Sequence, residues 1–202
     1  MPEVTFVDTG TGNLFSLTQA FRRAGADVVM THDPAEVRRA TCLVLPGVAS
    51  FSAVAEGIRE VRTEMLRRVR EGVPLLGICA GMQILFASSE EGPGAGLGLL
   101  PDRVRALPAA IVPHMGWSPL IPRDDPWLRD VPRGALVYFA HSYAAPAQAR
   151  GVVATSEHGA PFAAAVRQGN VFGVQFHPEK SARAGALVLR GFLRESGVFP
   201  SA

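Results

Sequence analysis

Wholly apolar runs alternate with amphipathic stretches in the N-terminal part of the chain. The runs CLVLPG (42–47) and VPLLGI (73–78) have no polar face, whereas LFSLTQAFRRAG (14–25) has apolar residues at helical spacing and ends in glycine. A strand without a polar face has to be covered on both sides, as strands are in a parallel sheet that carries helices on each face. The pattern therefore predicts an α/β fold with a central, mostly parallel sheet flanked by helices.

The sequence changes character after Glu90, where a loop rich in Gly and Pro (90–101) separates two halves. Shorter strand-like runs follow it, and they lie at 103–107, 135–140, 151–157, 162–167 and 170–176. We expect these runs to add antiparallel strands to a flavodoxin-like parallel half, and the stretch 181–197 to form a final helix. No repeat or long linker interrupts the sequence, so residues 1–202 are predicted to form a single domain.

Composition excludes several classes of function. The chain has 202 residues, 48% of them hydrophobic, and a formal net charge of only +2, so it can bury one substantial core but offers no basic surface for nucleic acid. No apolar run approaches the roughly 18 residues that would cross a membrane, and the first residues do not resemble a secretion signal, which predicts a soluble, cytoplasmic protein. The two cysteines and five histidines lack the spacing of a metal site, so we expect no metal and no other cofactor.

The run PLLGICAGMQILF (74–86) carries the most specific chemical signal. A buried strand leads into Cys79, which is flanked by glycines, and then into a helical stretch, as in the bend that presents the nucleophile of α/β hydrolases. Gly77 and Gly81 suit such a bend because larger side chains would collide there, and backbone dipoles at the start of a helix stabilise a thiolate. We therefore predict Cys79 as a nucleophile, with the N–H of Ala80 directed at a developing oxyanion. The run alone also fits a structural cysteine followed by an ordinary turn.

A second signal follows the strand-like run at 170–176, where the chain continues with His177, Pro178 and Glu179. In an extended chain, residues two apart project to the same side, so Glu179 would lie beside the imidazole of His177. His177 would then take the proton of Cys79 and later donate it to a leaving ammonia, while Glu179 holds the ring in the required tautomer. A His-Pro-Glu sequence by itself more often marks a solvated turn, but both signals lie where strands leave an α/β sheet, the usual place of an active site.

The segments GICAGMQ (77–83) and GVQFHPEKS (173–181) together resemble the class I, triad-type glutamine amidotransferases. Further segments, DTGTGNLFSL, LPGVASF, PHMGWS and YFAHSY, narrow the resemblance to the glutaminase subunits of imidazole glycerol phosphate synthase, a family of histidine biosynthesis. The resemblance implies an enzyme that hydrolyses glutamine through a thioester on Cys79. It also implies a heterodimer in which ammonia passes through a channel to a cyclase subunit with a (β/α)8-barrel fold, which makes imidazole glycerol phosphate and aminoimidazole carboxamide ribotide.

The resemblance assigns further residues to the site. For the oxyanion it implies the N–H of Val48, which Gly47 would allow to rotate toward the substrate, although Gly47 also fits a simple strand-ending turn. The family has a second glycine where this chain has Ala49. For the glutamine pocket the resemblance implies Gly47, Gln83, His141, Ser142 and Tyr143.

Five other residues take a partner role only through the resemblance. Met115, Trp117 and Tyr138 would ordinarily pack in a core. Asn13 would cap a helix, and Lys180 would be a solvated charge. In the family these positions face the cyclase, where apolar aromatic residues suit an interface that keeps water out of the ammonia path.

Two other functions stay open. The chain could serve another synthase, or be a self-sufficient γ-glutamyl hydrolase that is active without a partner. It could also be a flavodoxin-like binding or regulatory module in which Cys79 is structural, and its thiol would then react slowly with alkylating agents at neutral pH.

Overall fold

The computed structural model describes residues 1–12 and 14–198. Its helices are α1 (Phe15–Ala24), α2 (Pro34–Arg39), α3 (Phe51–Gly57), α4 (Arg62–Arg70), α5 (Ala80–Gln83) and α6 (Ala182–Glu195). Its strands are β1 (Glu3–Val7), β2 (Asp27–Thr31), β3 (Leu43–Gly47), β4 (Leu75–Cys79), β5 (Phe86–Ser89), β6 (Leu100–Ala106), β7 (His114–Pro119), β8 (Ile121–Pro122), β9 (Leu136–His141), β10 (Tyr143–Ala144), β11 (Val152–His158), β12 (Ala160–Gln168) and β13 (Val171–Val174). Short 3-10 turns lie at Pro126–Leu128 and Pro178–Lys180.

The central sheet has eight strands in the order β2-β1-β3-β4-β13-β12-β11-β8. The strands from β2 to β13 in this order pair in parallel, whereas β12, β11 and β8 are added antiparallel. The order of the parallel strands is that of flavodoxin-like sheets. The predicted α/β fold, with antiparallel strands added by the C-terminal half, is therefore confirmed.

The parallel strands bury both of their faces, which explains why their sequences are wholly apolar. Val44 of β3 packs into a core cluster with Phe21 of α1 and Phe192 of α6. Its neighbours Leu43 and Leu45 point the other way and pack into a second cluster, which includes residues of α3 and α4. One layer of helices covers each face of the sheet.

Three local features of the structure were not predicted from the sequence. The charged stretch between β3 and β4 forms two helices, α3 and α4, and α3 ends at Gly57, which is packed against the backbone of Thr9. The helix after Cys79 is the single turn α5, because the apolar residues that follow form β5, which pairs in parallel with β6. β7 and β9 form a separate antiparallel ribbon, hereafter the β7–β9 ribbon. No helix in the described part of the chain is long and apolar enough to span a membrane.

Candidate active site

β4 ends at Cys79, whose backbone is strained. The residue has φ 54° and ψ −113°, a conformation that residues with a Cβ rarely adopt. α5 begins at the next residue, so the thiol lies at a sharp strand-to-helix bend, as predicted. Only 6% of the surface of Cys79 is exposed.

The bend depends on two glycines. A Cβ on Gly77 would come within 2.5 Å of the carbonyl oxygen of Gly81. A Cβ on Gly81 would overlap the carbonyl oxygen of Leu45 in the neighbouring strand. A larger residue at either position would separate the strands or change the bend, so the steric prediction for these glycines is confirmed.

His177 and Glu179 lie at the end of the strand next to Cys79. β13 pairs with β4 so that Val174 is opposite Ile78, which brings the chain after each strand to the same edge of the sheet. His177 Nδ1 is 2.9 Å from Glu179 Oε1. Because a carboxylate only accepts, Nδ1 carries a proton and donates it, and Nε2 is left to interact with Cys79, which acts on the pKa of the ring. The structure thus brings the three predicted triad residues together.

The environment of His177 favours its charged form. Burial by itself lowers the pKa of the imidazole, but the hydrogen bonds with Cys79 and Glu179, together with their charges, outweigh burial and raise the pKa of His177 to about 10. His177 is therefore an imidazolium at neutral pH. An imidazolium stabilises an adjacent thiolate and can give a proton to a leaving group.

A cleft of about 230 Å³ opens beside Cys79. Its lining residues come from the segment after β3, the end of β4, α5, the loop after β5, the loop before β7 and the end of β9 with the turn after it. They are Ala49, Cys79, Ala80, Gln83, Glu91, Pro113, Ala140, His141, Ser142 and Tyr143. Larger clefts occur elsewhere on the surface, but among the described residues they contain no member of the triad. The cleft is therefore lined by Ala80 and by four residues that were predicted to bind substrate, Gln83, His141, Ser142 and Tyr143. Their contact with substrate stays a prediction.

The segment at the end of β3, where Gly47 and Val48 were predicted to face the substrate, does not line the cleft with those two residues. Gly47 is opposite Cys79 in the pairing of β3 with β4, and it packs against the turn that begins at Ala80 instead of lining the cleft. The side chain of Val48 is 49% exposed and lies over Gly12. Ala49 is the residue of this segment that reaches the cleft. The N–H of Val48 as an oxyanion donor, and a contact of Gly47 with substrate, stay predictions.

Buried histidines lie behind the wall of the cleft. His141 Nδ1 donates to the carbonyl oxygen of Tyr143 at 2.9 Å, and His141 Nε2 is 3.2 Å from His114 Nδ1. The ring of His158 stacks on that of His114 with 4.3 Å between centroids. Burial is the main cause that lowers the pKa of His141 to about 3 and that of His114 to about 4, so both rings are neutral at physiological pH.

In the described part of the chain no group of three His, Cys, Asp or Glu side chains is arranged to hold a metal ion.

The family model of the class I glutamine amidotransferases matches residues 5–195. A protein from Moorella thermoacetica named imidazole glycerol phosphate synthase subunit HisH is 47% identical over 198 residues, which cover 95% of this chain and 94% of that protein. A protein of the same name from Methanothermobacter thermautotrophicus is 43% identical over 192 residues, which cover 94% of this chain and 97% of that protein. The chain belongs to the class I glutamine amidotransferases and, within them, to the HisH subunits.

A solved structure agrees with this assignment at the level of the fold. A crystal structure described as a glutamine amidotransferase has a TM-score of 0.76 at 23% identity, and the match covers 96% of this chain and 98% of that chain. The family model and the HisH relatives confirm the predictions of the family and of the enzyme class.

Four of the five residues predicted to face a partner form one patch on this amidotransferase. Met115 and Trp117 alternate along β7 and are 65% and 50% exposed. Tyr138 lies opposite Trp117 in the β7–β9 ribbon, and Lys180 Nζ is 5.4 Å from the centre of the Tyr138 ring. Asn13, the fifth predicted partner residue, lies outside the described residues.

Two residues close to the triad were not predicted from the sequence. Glu91 lines the cleft, and its Oε2 accepts a hydrogen bond from the N–H of Phe51 at 2.7 Å. Gln175 is fully buried, with its Nε2 3.8 Å from the sulfur of Cys79. Glu91 gave no signal because it lies in a loop rich in glycine and proline. The alternation of an extended chain could have identified Gln175, since residues 175 and 177 project to the same side.

Proposed function

We propose that this chain is the glutaminase subunit of imidazole glycerol phosphate synthase and that it hydrolyses glutamine to glutamate and ammonia through a thioester on Cys79. The observation that carries the proposal is Cys79 on its strained bend, in contact with the ion-paired His177 and beside a cleft of amino-acid size. Such backbone strain costs on the order of 1–3 kcal/mol and is concentrated at functional sites, so it supports a catalytic cysteine over a structural one. Membership of the HisH subunits supports the same reaction.

In the first step the sulfur of Cys79 attacks the side-chain amide carbon of glutamine. A C–S bond forms, and the carbonyl oxygen becomes an oxyanion that accepts from the N–H of Ala80 and, after a backbone rotation, from the N–H of Val48. The C–N bond then breaks while the imidazolium of His177 gives its Nε2 proton to the nitrogen, which leaves as ammonia. The raised pKa of His177 supports this order, because the ring keeps its proton until the departing nitrogen becomes the stronger base.

In the second step water attacks the thioester carbon. His177, now neutral, takes a proton from the water, and the C–S bond breaks to release glutamate and restore the thiolate of Cys79. Glu179 accepts from Nδ1 throughout, which keeps Nε2 directed at the reacting atoms and stabilises the imidazolium whenever it forms.

The polar groups of the cleft suit an amino acid. Glu91 offers a carboxylate for the α-ammonium group of glutamine. Both amide hydrogens of Gln83 point to protein groups, namely the carbonyl oxygen of Tyr143 and Gln175 Oε1, so Gln83 can offer a ligand only its Oε1 acceptor. Ser142 adds a hydroxyl that can donate to the α-carboxylate.

A cyclase subunit with a (β/α)8-barrel fold is the partner of the proposed heterodimer, and it binds the patch of Met115, Trp117, Tyr138 and Lys180. Large exposed apolar side chains clustered on one ribbon support an interface there. The carbonyl oxygen of Tyr138 accepts from the N–H of His177 at 2.9 Å, so a partner that moves β9 also moves the general acid. Ammonia would pass to the cyclase along a path that the contact between the two subunits seals from solvent. We further propose that residues 1–202 form one amidotransferase domain that works in the cytoplasm.

Ammonia release from glutamine tests the proposal. The chain is assayed alone, with a candidate cyclase, and with the cyclase and its nucleotide substrate. We expect little release from the chain alone and a large increase with both additions. Cys79→Ala should lower release by about 10⁴-fold or more. Cys42→Ala is the matched control, because burial raises the pKa of the Cys42 thiol to about 12 and keeps it inert in the core.

The other outcomes distinguish the alternatives. Partner-dependent hydrolysis that survives Cys79→Ala would refute the nucleophile. Strong hydrolysis without any partner would favour a self-sufficient hydrolase. Release that no cyclase increases would reopen the choice of synthase.

A further inference from the structure

We propose that Gln175 is a further catalytic residue, whose side-chain amide donates to the sulfur of Cys79 and is oriented by a chain of hydrogen bonds that begins at Ser118. The inference rests on the proposed function, because it takes the sulfur of Cys79 as the reacting atom. It adds to the triad a neutral donor that touches the nucleophile directly.

Gln175 is held rigidly next to the nucleophile. The residue is fully buried between β13 and His177, and its backbone N–H donates to the carbonyl oxygen of Ala164 at 2.9 Å, which extends the pairing of β13 with β12. Its Nε2 lies 3.8 Å from Cys79 Sγ. A donor directed at the sulfur stabilises negative charge there before attack and again when the thioester breaks, and an amide does not titrate in the process.

The amide of Gln175 has one favourable orientation. Its Oε1 accepts from Gln83 Nε2 at 3.2 Å, so its Nε2 has to face Cys79. A reversed amide would direct an oxygen at the sulfur and an NH2 group at the NH2 group of Gln83. Two mismatched contacts in a buried site are costly, so Gln83 acts as a positioning residue for Gln175.

Gln83 is in turn fixed by the carbonyl oxygen of Tyr143. That oxygen accepts from Gln83 Nε2 at 2.8 Å and from His141 Nδ1 at 2.9 Å. Because a carbonyl only accepts, His141 has its proton on Nδ1 and its Nε2 is an acceptor. The two donors fill both lone-pair directions of the carbonyl and hold this wall of the cleft in place.

The chain continues from His141 through His114 to Ser118. Since His141 Nε2 accepts, His114 Nδ1 is the donor at 3.2 Å, and His114 Nε2 then accepts from Ser118 Oγ at 2.8 Å. Each link therefore has a single direction while both rings are neutral, which is the state that their lowered pKa values favour. His114 is a positioning residue that acts on the sulfur through His141, Gln83 and Gln175.

Steady-state kinetics of the chain in its complex with the cyclase tests the donor. Gln175→Met removes the N–H and keeps the length of the side chain, and Gln168→Met at the exposed end of β12 is the matched control. We expect Gln175→Met to lower kcat roughly 10- to 100-fold, the range of a hydrogen bond to a charged group, and to change KM for glutamine less than about threefold. Gln175→Asn is the second variant, for use if Gln175→Met folds poorly. It keeps an amide but withdraws it from the sulfur by one methylene, so we expect a similar fall in kcat.

The orienting chain has separate readouts. Imidazole ¹⁵N NMR of the unmodified protein at pH 7 should show the proton of His141 and of His114 on Nδ1. His114→Phe keeps the ring that stacks on His158 but removes the donor, and we expect kcat to fall about three- to tenfold. His114→Asn places an N–H near the position of Nδ1 and should recover most of the loss, whereas a purely packing role for the ring would make Asn the worse variant.

The outcomes separate this inference from the proposed function. If Cys79→Ala kept glutamine hydrolysis, the proposed function itself would fail. If Cys79 were required while Gln175→Met and Gln175→Asn kept the kcat of the unmodified complex, only the role of Gln175 would be refuted. Protons on Nε2 of His141 and His114 would refute the orienting chain.

Discussion

Two buried histidines beside the nucleophile have opposite charge states. His177 and His141 are 5% and 6% exposed, and burial disfavours the charged form of both rings. The pKa of His177 is nevertheless raised to about 10, because Cys79 and Glu179 contact it, whereas the pKa of His141 is lowered to about 3. His141 has the carbonyl oxygen of Tyr143 as its acceptor, which does not offset the cost of burial.

The difference shows that the partner of a buried ring, and not its burial, sets the charge in this site. A ring that exchanges protons with substrate needs a carboxylate behind it, and His177 has Glu179. A ring that only positions other groups needs fixed donor and acceptor atoms, which a neutral imidazole provides. The charge on His177 also helps to keep His141 neutral, because two imidazolium groups would repel each other.

The largest expected effect comes from removing the carboxylate that distinguishes His177. Glu179→Gln leaves a neutral amide of the same shape, so the imidazolium loses a hydrogen bond and a charge. We expect kcat of glutamine hydrolysis in the cyclase complex to fall on the order of 10²- to 10⁴-fold, and the pH above which the remaining activity declines to move down from near 10. The measurement is kcat against pH, with the exposed Glu157→Gln as control. An unchanged alkaline limit would contradict the role of Glu179.

A smaller effect concerns the two neutral rings, His114 and His141, hereafter the neutral pair, and their contribution to the free energy of unfolding. The folded-state pKa values of His114 and His141, about 4 and about 3, lie below the ordinary value of 6.5, so below pH 6.5 the unfolded chain binds protons that the folded chain does not. Their contribution is therefore present above pH 6.5 and is lost as the pH falls toward 4 and then 3, by on the order of several kcal/mol per ring. His177 has the opposite sign: its contribution is present below pH 6.5 and is lost as the pH rises toward 10.

Urea unfolding between pH 4 and 8 measures this loss. The comparison of the unmodified chain with His114→Phe isolates one ring, since all carboxylates titrate in both proteins. We expect the free energy of unfolding of His114→Phe to depend less steeply on pH between 4 and 6.5. Equal slopes would mean that His114 does not resist protonation in the folded state.

Local sequence predicts the parallel half of the molecule and its nucleophile well. The apolar runs of β3 and β4 require cover on both faces, and no residue larger than glycine fits at positions 77 and 81 of the bend. His177 and Glu179 are also predictable, because residues two apart in an extended chain share a side. Each of these inferences depends on neighbours in the sequence.

The neutral histidines could not be predicted in this way, because long-range pairing brings them together. His114 meets His141 only because β7 and β9 pair antiparallel in that register, and His158 arrives from β11. β7 contains proline and glycine and gave no strand signal. The apolar residues after Cys79 are buried on all sides, so their spacing does not distinguish a longer helix from the observed turn and β5.

The smallest expected effect comes from His158, which stacks on His114 and influences the pKa of that ring. A positive charge on His158 contributes, after burial, to the lowered pKa of His114, and the two rings are stacked. His158→Phe keeps the stacking and removes that charge, so the pKa of His114 should rise slightly. The loss of the hydrogen bond from His158 Nε2 to the carbonyl oxygen of Ile111 should lower stability by about 1 kcal/mol or less at all pH values. Because the folded-state pKa of His114 would then lie closer to 6.5, the acid loss of stability should be slightly smaller and end at slightly higher pH. NMR titration of the His114 ring measures the shift directly, and a fall in its pKa would show that His158 supports protonation instead of opposing it.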